Sequence, residues 1–207
     1  KAVKNLFRIN DELHVYEFIP NNQSIGNLFQ SVTTIIDNIR EYSYTGRKTD
    51  LYDINSKLGT KVHKILEDIV NGKSKESISK KNDFTSEEVF NKLYDHLETV
   101  VERIKKDGAV ISEVVIGNVK NQVAGTVDIM VIRDDGSVDI LDLKTSIKST
   151  EDKSLYRHHY NGVKASKEDK HGLQLATYAK MIEMGDPELG IEPRKINTLT
   201  IIPINIS

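Results

Sequence analysis

Residues 122–132, QVAGTVDIMVI, run through RDDG at 133–136 into SVDILDLK at 137–144. Both runs are rich in β-branched residues. Asp134, Asp135 and Gly136 between them are turn formers, so the stretch predicts a β-hairpin. The turn decides what the hairpin presents. With a three-residue loop and Gly136 in the left-handed conformation, Arg133 faces Ser137, and counting back sets Asp128 opposite Asp142. A two-residue loop would oppose Asp128 to Leu143 and separate the carboxylates. Alternate residues on a strand share a face, so Asp142 and Lys144 point the same way in either register.

Two converging carboxylates repel each other unless a cation sits between them. Oxygen ligands of this kind suit a hard ion, Mg2+ or Mn2+, bound singly or as a pair. A lysine beside them can orient or deprotonate a water, or offset charge growing on a phosphate. Asp128, Asp142 and Lys144 are therefore candidate catalytic residues for hydrolysing a phosphodiester. Taken alone, Asp-x-Lys reads more simply as a surface ion pair, because such tripeptides arise freely. The surroundings favour a site. The strand around Asp142 is otherwise apolar, where an unpaired carboxylate is costly, and Gly125 removes a side chain where a ligand or another backbone could approach.

Working outward, AVISEVVI at 109–116 is another extended run, bounded by Gly117 and Asn118. Before it, Leu58, Val62, Ile65, Leu66 and Ile69 fall on one stripe at helical spacing, predicting a helix over 56–71. Residues 72–84 are polar and basic and read as a loop. Thr85-Ser86-Glu87-Glu88 is a capping-box pattern that opens a second helix, closing at Lys105 to Gly108. Near the start, residues 13–19 alternate as a strand up to Pro20, and Ser31 or Thr33 would cap a short helix running through Ile39. After the hairpin comes a long polar connection over 145–170, then a helix over 171–184 and a closing strand over 196–206. The order indicates a mixed α/β fold, a central β-sheet flanked by helices.

The 207 residues suit a single domain, 1–207, with a core over about 30–206. The sequence has no Cys, which excludes disulfides, Cys-held zinc and an iron–sulfur cluster. No apolar run is long enough to cross a bilayer and no signal-peptide pattern opens the stretch, so the expectation is an intracellular, reducing compartment without a membrane. A net charge of -2 gives the whole molecule no general attraction for nucleic acid, so any such affinity must be local. Lys144, Lys148, Lys153, Arg157, Lys164, Lys167 and Lys170 gather in one segment, against Glu151, Asp152, Glu168 and Asp169. On charge alone that segment is equally a solvated loop.

Five short patterns occur in order: Ser31-Val32-Thr33, Gly59-x-x-x-His63, Gly125-Thr126-Val127-Asp128, Asp142-Leu143-Lys144-Thr145-Ser146 and Gln174-x-x-x-Tyr178. Together they resemble the RecB-type branch of the PD-(D/E)XK nuclease superfamily. They are especially similar to its single-domain exonucleases, which include phage enzymes and the mitochondrial genome maintenance exonuclease. The resemblance implies a restriction-endonuclease-like core. It implies metal ligation by His63, Asp128, Asp142 and the backbone carbonyl of Leu143, with Lys144 as the catalytic lysine. Gln174 and Tyr178 would shape the site and contact DNA, Ser31 and Thr33 would touch phosphate at a helix N-terminus, and Glu113 would be a second-shell or second-metal carboxylate.

The implied activity is a Mg2+- or Mn2+-dependent deoxyribonuclease, an exonuclease on single-stranded DNA ends. A replication or recombination protein would be its partner. The implied setting is a bacterial cytoplasm, a phage-infected cell or the mitochondrial matrix. The alternatives are a structure-selective endonuclease and a non-catalytic DNA-binding or assembly subunit. Helical geometry allows the His63 role, since His63 lies on the flank of the apolar stripe, in one row with Gly59 and Glu67. The plain alternative is a histidine hydrogen-bonded at the margin of the core. Tyr156, Arg157, His158, His159 and Tyr160 suggest that the 145–170 loop clamps DNA, with an unstructured linker as the alternative.

Overall fold

The computed structural model describes the chain except residues 1–5, 11–12, 14, 21–26, 40–42, 45–49, 83, 85, 148–155, 158–166 and 207. Strands β1 (Phe7–Asn10), β2 (Val15–Phe18) and β3 (Leu28–Ser31) form an antiparallel meander, and β3 leads directly into α1 (Val32–Ile39). Phe7, Phe18 and Phe29 pack their rings in tilted and edge-to-face contacts within this meander, with Phe7 meeting Tyr16 edge-on, which gives the short strands an aromatic core of their own. Ser31 caps α1: its Oγ accepts the Thr34 N–H at 3.0 Å.

After the two-residue β4 (Ser43–Tyr44) come α2 (Asp50–Val70), α3 (Lys75–Lys81) and α4 (Glu87–Ile104). Of the predicted stripe of α2, Val62, Ile65, Leu66 and Ile69 are buried and Leu58 is partly buried, and the helix starts earlier than its periodic part. Helix α4 opens within the predicted capping pattern, with Ser86 as its N-cap: Ser86 Oγ accepts the Val89 N–H at 3.4 Å, a simple cap, since the residue three on is Val89. Residues 75–81, expected as a loop, are instead helical. Ser74 caps that turn, and a single fully buried side chain, Ile78, anchors it. One apolar residue in a polar stretch leaves no periodicity to read.

Strands β5 (Ala109–Asn118), β6 (Val123–Ile132) and β7 (Val138–Ile147) follow. The 145–170 connection is partly taken up by its neighbours: β7 continues to Ile147, β8 (Tyr156–Arg157) pairs with β4, and α5 (Lys167–Met184) begins early. His158, His159 and Tyr160 lie outside the described residues. The last strand, β9 (Ile196–Ile206), runs parallel to β7 along its whole length.

The sheet places helices on both faces. Helices α2 and α4 cover Ile129, Val131, Leu141 and Leu143, while α1 and α5 cover Val127, Met130, Val138 and Ile140. This is the mixed sheet-and-helix architecture expected from the sequence. Its topology has one unusual point. One edge of β6 is paired with β5 at both of its ends, with one step skipped at Asp128. The other edge is shared: β3 pairs parallel with Val123 and Ala124, and β7 pairs antiparallel with Ile129 to Ile132. Between those two partners, at residues 125–128, the sheet opens like a fork.

The hairpin turn takes the three-residue form. Arg133 and Ser137 close it, with the Arg133 N–H donating to the Ser137 carbonyl at 2.9 Å, and Gly136 has φ 81°. Asp139, buried on β7, locks the hairpin to β9. It accepts Arg133 Nε at 2.7 Å, Asn197 Nδ2 at 2.7 Å and Thr198 Oγ1 at 2.6 Å. Burial alone would raise this carboxyl, but the three donors outweigh it and hold Asp139 below the usual carboxylate range. A depressed folded-state pKa contributes stability above the unfolded pKa of about 4 and loses it as pH falls through the folded value. Asp139→Asn is therefore expected to cost about 2 kcal/mol at pH 7. That penalty should shrink toward pH 3, as read from urea midpoints of both proteins; an equal penalty at both pH values would contradict the assignment.

Candidate active site

The fork gathers the chemistry. The register of the hairpin, with Ile129 opposite Leu141, would next oppose Asp128 to Asp142, but backbone pairing stops one step short. Instead the Leu143 N–H donates to Asp128 Oδ2 at 2.7 Å. The side chain of Asp128 thus occupies the place of a strand carbonyl and props the two strands apart. On the other edge, β5 pairs with β6 on both sides of this level, Ser112 with Ile129 and Val114 with Val127, and skips the Glu113–Asp128 step. Glu113 has φ 50°, a left-handed backbone that costs a non-glycine residue about 1 kcal/mol or more. Strand β6 also stops alternating here: Val127 and Met130 both pack toward α5, and Ile129 packs toward α2.

Helix α2 supplies the imidazole. His63 Nδ1 lies 3.3 Å from Asp128 Oδ1 and 3.9 Å from Glu113 Oε1. Ligand atoms of these three residues lie within 4.8 Å of one another. Burial disfavours a charged His63, but the contacts and charges of Asp128 and Glu113 outweigh it and push the group up to about 10. Gly59, one turn earlier, explains the Gly-x-x-x-His spacing: a Cβ there would come 3.0 Å from Thr145 Oγ1 on β7. A larger residue would push α2, and His63 with it, away from the sheet.

Asp142 and Lys144 stand together beside this trio. Lys144 Nζ is 2.7 Å from Asp142 Oδ2, a contact of charge rather than an aligned hydrogen bond, since that buried oxygen has no hydrogen-bond partner. Burial pushes the Asp142 carboxyl up, Asp128 adds to the rise, and Lys144 and His63 oppose it. His63, Glu113 and Lys144 keep roughly 30% of their side-chain surface exposed, so the cleft admits a ligand.

Two of the expected ligands, His63 and Asp128, meet a third residue here, and the other two lie beside them. Glu113, held in reserve by the sequence, completes the trio with His63 and Asp128, whereas Asp142 faces Lys144. Leu143 contributes its N–H to Asp128. Register could have revealed Glu113, which lies level with Asp128, had the turn at 119–122 been fixed in advance. Gln174 and Tyr178 do lie one turn apart on α5, and Gln174 Nε2 donates to Tyr178 Oη at 3.1 Å. Tyr178 is 3% exposed and packs its ring on Gly125, where a Cβ would come 2.5 Å from Cε1. Ser31 is also buried, and its hydroxyl is used in the α1 cap and in a 2.8 Å bond with Thr34. Thr33 is half-buried in the first turn of α1.

A family model of the PD-(D/E)XK nuclease superfamily matches residues 36–196, well over half of the chain. The chain belongs to the PD-(D/E)XK nuclease superfamily. No curated protein matches it.

The superfamily's chemistry requires a divalent metal, and the donors present fit one. One imidazole nitrogen and two carboxylate oxygens converge, the carboxylates repel each other, and the only positive charge within the trio is the proton of His63. The strained backbone of Glu113 is what delivers the third donor. Glu113→Gly should relieve that strain and raise stability by up to about 1 kcal/mol, while weakening Mn2+ binding about tenfold. Thermal unfolding and Mn2+ titration of the metal-free protein check the two halves; a destabilised variant with unchanged Mn2+ affinity would contradict both.

Proposed function

We propose that this chain is a Mg2+- or Mn2+-dependent deoxyribonuclease of the RecB-type branch, acting as an exonuclease on single-stranded DNA ends. The observation that carries the hydrolytic reading is the convergence of His63, Glu113 and Asp128 beside the Asp142–Lys144 pair. The order of the five sequence patterns supports the RecB-type branch, and similarity to single-domain exonucleases supports action on ends. An intracellular setting with a replication or recombination partner belongs to the same reading.

His63, Glu113 and Asp128 would hold the ion, with Asp142 near enough to feel the charges of both His63 and Asp128. What a divalent ion supplies when bound is positive charge that offsets the phosphodiester anion and polarises a water for attack. The protein's own residues do the rest. Asp142 holds the Lys144 ammonium beside the cluster, at the edge of the cleft. From there Lys144 can orient the attacking water and screen negative charge as the phosphorus gains its fifth oxygen. Asp128 spans the two strands, so its carboxylate is fixed before substrate arrives. Tyr178 and Gln174 form the wall behind Gly125.

The test is incubation of end-labelled linear DNA and circular single-stranded DNA with Mg2+, Mn2+ or chelator. Expected are release of short products from linear single strands, an intact circle, and no reaction with chelator. A cut circle would replace the exonuclease with an endonuclease, and metal-independent cleavage would remove the proposed chemistry. Lys144→Ala should lower the rate at least 100-fold while sparing much of the DNA affinity; unchanged metal-dependent cleavage would refute the role of Lys144.

A further inference from the structure

One contact at the fork comes from outside the stretch that the family model matches. Tyr16, on β2, is 8% exposed and packs among Phe7, Phe18 and Phe29. Its hydroxyl leaves that apolar cluster and meets Thr126 Oγ1 at 3.0 Å, 110 residues further along the chain. Thr126 lies in the open stretch of β6, between the end of the β3 pairing at Ala124 and the start of the β7 pairing at Ile129. Val127, next to it, is turned toward α5. Thr126 and Asp128, its two neighbours, therefore leave the opposite face, on which His63 meets Asp128. Gly125, the residue before, is pinned from the α5 side by the Tyr178 ring.

The stretch that carries Asp128 thus has no backbone strand partner on its open edge; the Asp128 bond to Leu143, the Tyr178 ring on Gly125 and the Tyr16–Thr126 bond hold it instead. A phenol buried at this depth needs a partner for its hydroxyl, and Thr126 provides it. We infer that Tyr16 is a positioning residue for the hydrolysis, acting through Thr126 to fix the aim of Asp128 at the mouth of the fork. The bond ties the N-terminal meander to the catalytic strand, so the meander is part of the catalytic apparatus. A displacement of Asp128 by a fraction of an ångström changes its fit to both Leu143 and the ion, and misplacement on the scale of 1 Å costs about 100-fold in rate.

This inference rests on the nuclease reading, and the experiment separates the two. Tyr16→Phe keeps the ring and removes the hydroxyl. Thr126→Val keeps the shape of the partner, and Thr126→Ser keeps its hydroxyl. Each is assayed at a temperature well below its own unfolding midpoint, for DNA cleavage and for Mn2+ affinity by titration of the metal-free protein. Tyr16→Phe and Thr126→Val are each expected to lower kcat about 10-fold with KM for DNA unchanged, and to weaken Mn2+ binding several-fold. The double variant should fall no further than either single one, because both break the same bond. Thr126→Ser should stay within about twofold of the wild type.

If the wild type cleaves DNA and Tyr16→Phe matches it in kcat and Mn2+ affinity, the inference is overturned and the nuclease reading stands. Losses that multiply in the double variant also overturn it, since the two groups would then act separately. If the wild type binds Mn2+ but cuts no DNA, while both single variants weaken Mn2+ binding equally and non-additively, the positioning role holds and the nuclease reading fails. A wild type that neither binds Mn2+ nor cuts DNA overturns both.

Discussion

The bond from the Leu143 N–H to the Asp128 carboxylate is the interaction on which the site depends. A β-sheet normally satisfies its backbone groups with one another. Here an amide of β7 is satisfied by a side chain of β6, so the strands can part without leaving a buried donor unpaired. The parting creates the space in which acidic groups from three strands and an imidazole from a helix approach one another. An isosteric amide at position 128 could still accept that bond, but would remove the charge that faces His63. Structure and chemistry are therefore separable at this residue.

The cluster is an electrostatic and conformational compromise. Glu113 reaches His63 from a backbone that its side chain disfavours, and Asp142 is buried with an oxygen that lacks a hydrogen bond. Both features oppose folding. Both make sense where a cation is to be held, because a bound ion would offset the repulsion between the carboxylates. Among the described residues, His63 and the Lys144 ammonium each lie against a carboxylate of the cluster. Two other buried acids are fully engaged within the chain. Asp139 receives three donors and Asp186 caps the turn after α5, accepting the Val119, Glu188 and Leu189 N–H groups. These are structural carboxylates, satisfied within the chain and held away from the fork.

Precision in the site comes from glycines that allow close approach. Gly59 lets α2 come near β7 at Thr145, and Gly125 lets the Tyr178 ring lie on β6. Each sits within a few residues of a candidate ligand, so the distance from helix to sheet and the placement of that ligand are set together. The ion pair of Lys170 with Asp37, at 2.5 Å, joins α5 to α1 across the same face. A rigid frame of this kind suits a reaction in which most of the catalytic effect is positioning and charge.

The sequence by itself determined the local elements whose signals are periodic or chemical. The hairpin, the capped α4, the apolar stripe of α2 and the closing β9 were legible, because alternation, capping residues and turn glycines act over a few positions, whereas the choice between a two- and a three-residue turn was left to the structure. It also brought Asp128, Asp142, Lys144 and His63 into consideration by residue type and order. It did not reveal α3, whose single buried anchor has no period. The tertiary structure alone decided that two strands share one edge of β6, that Glu113 turns in to join His63, that Tyr178 is a buried wall, and that Tyr16 reaches Thr126. These depend on contacts between residues tens to more than a hundred positions apart, for which neighbouring sequence carries no physical signal.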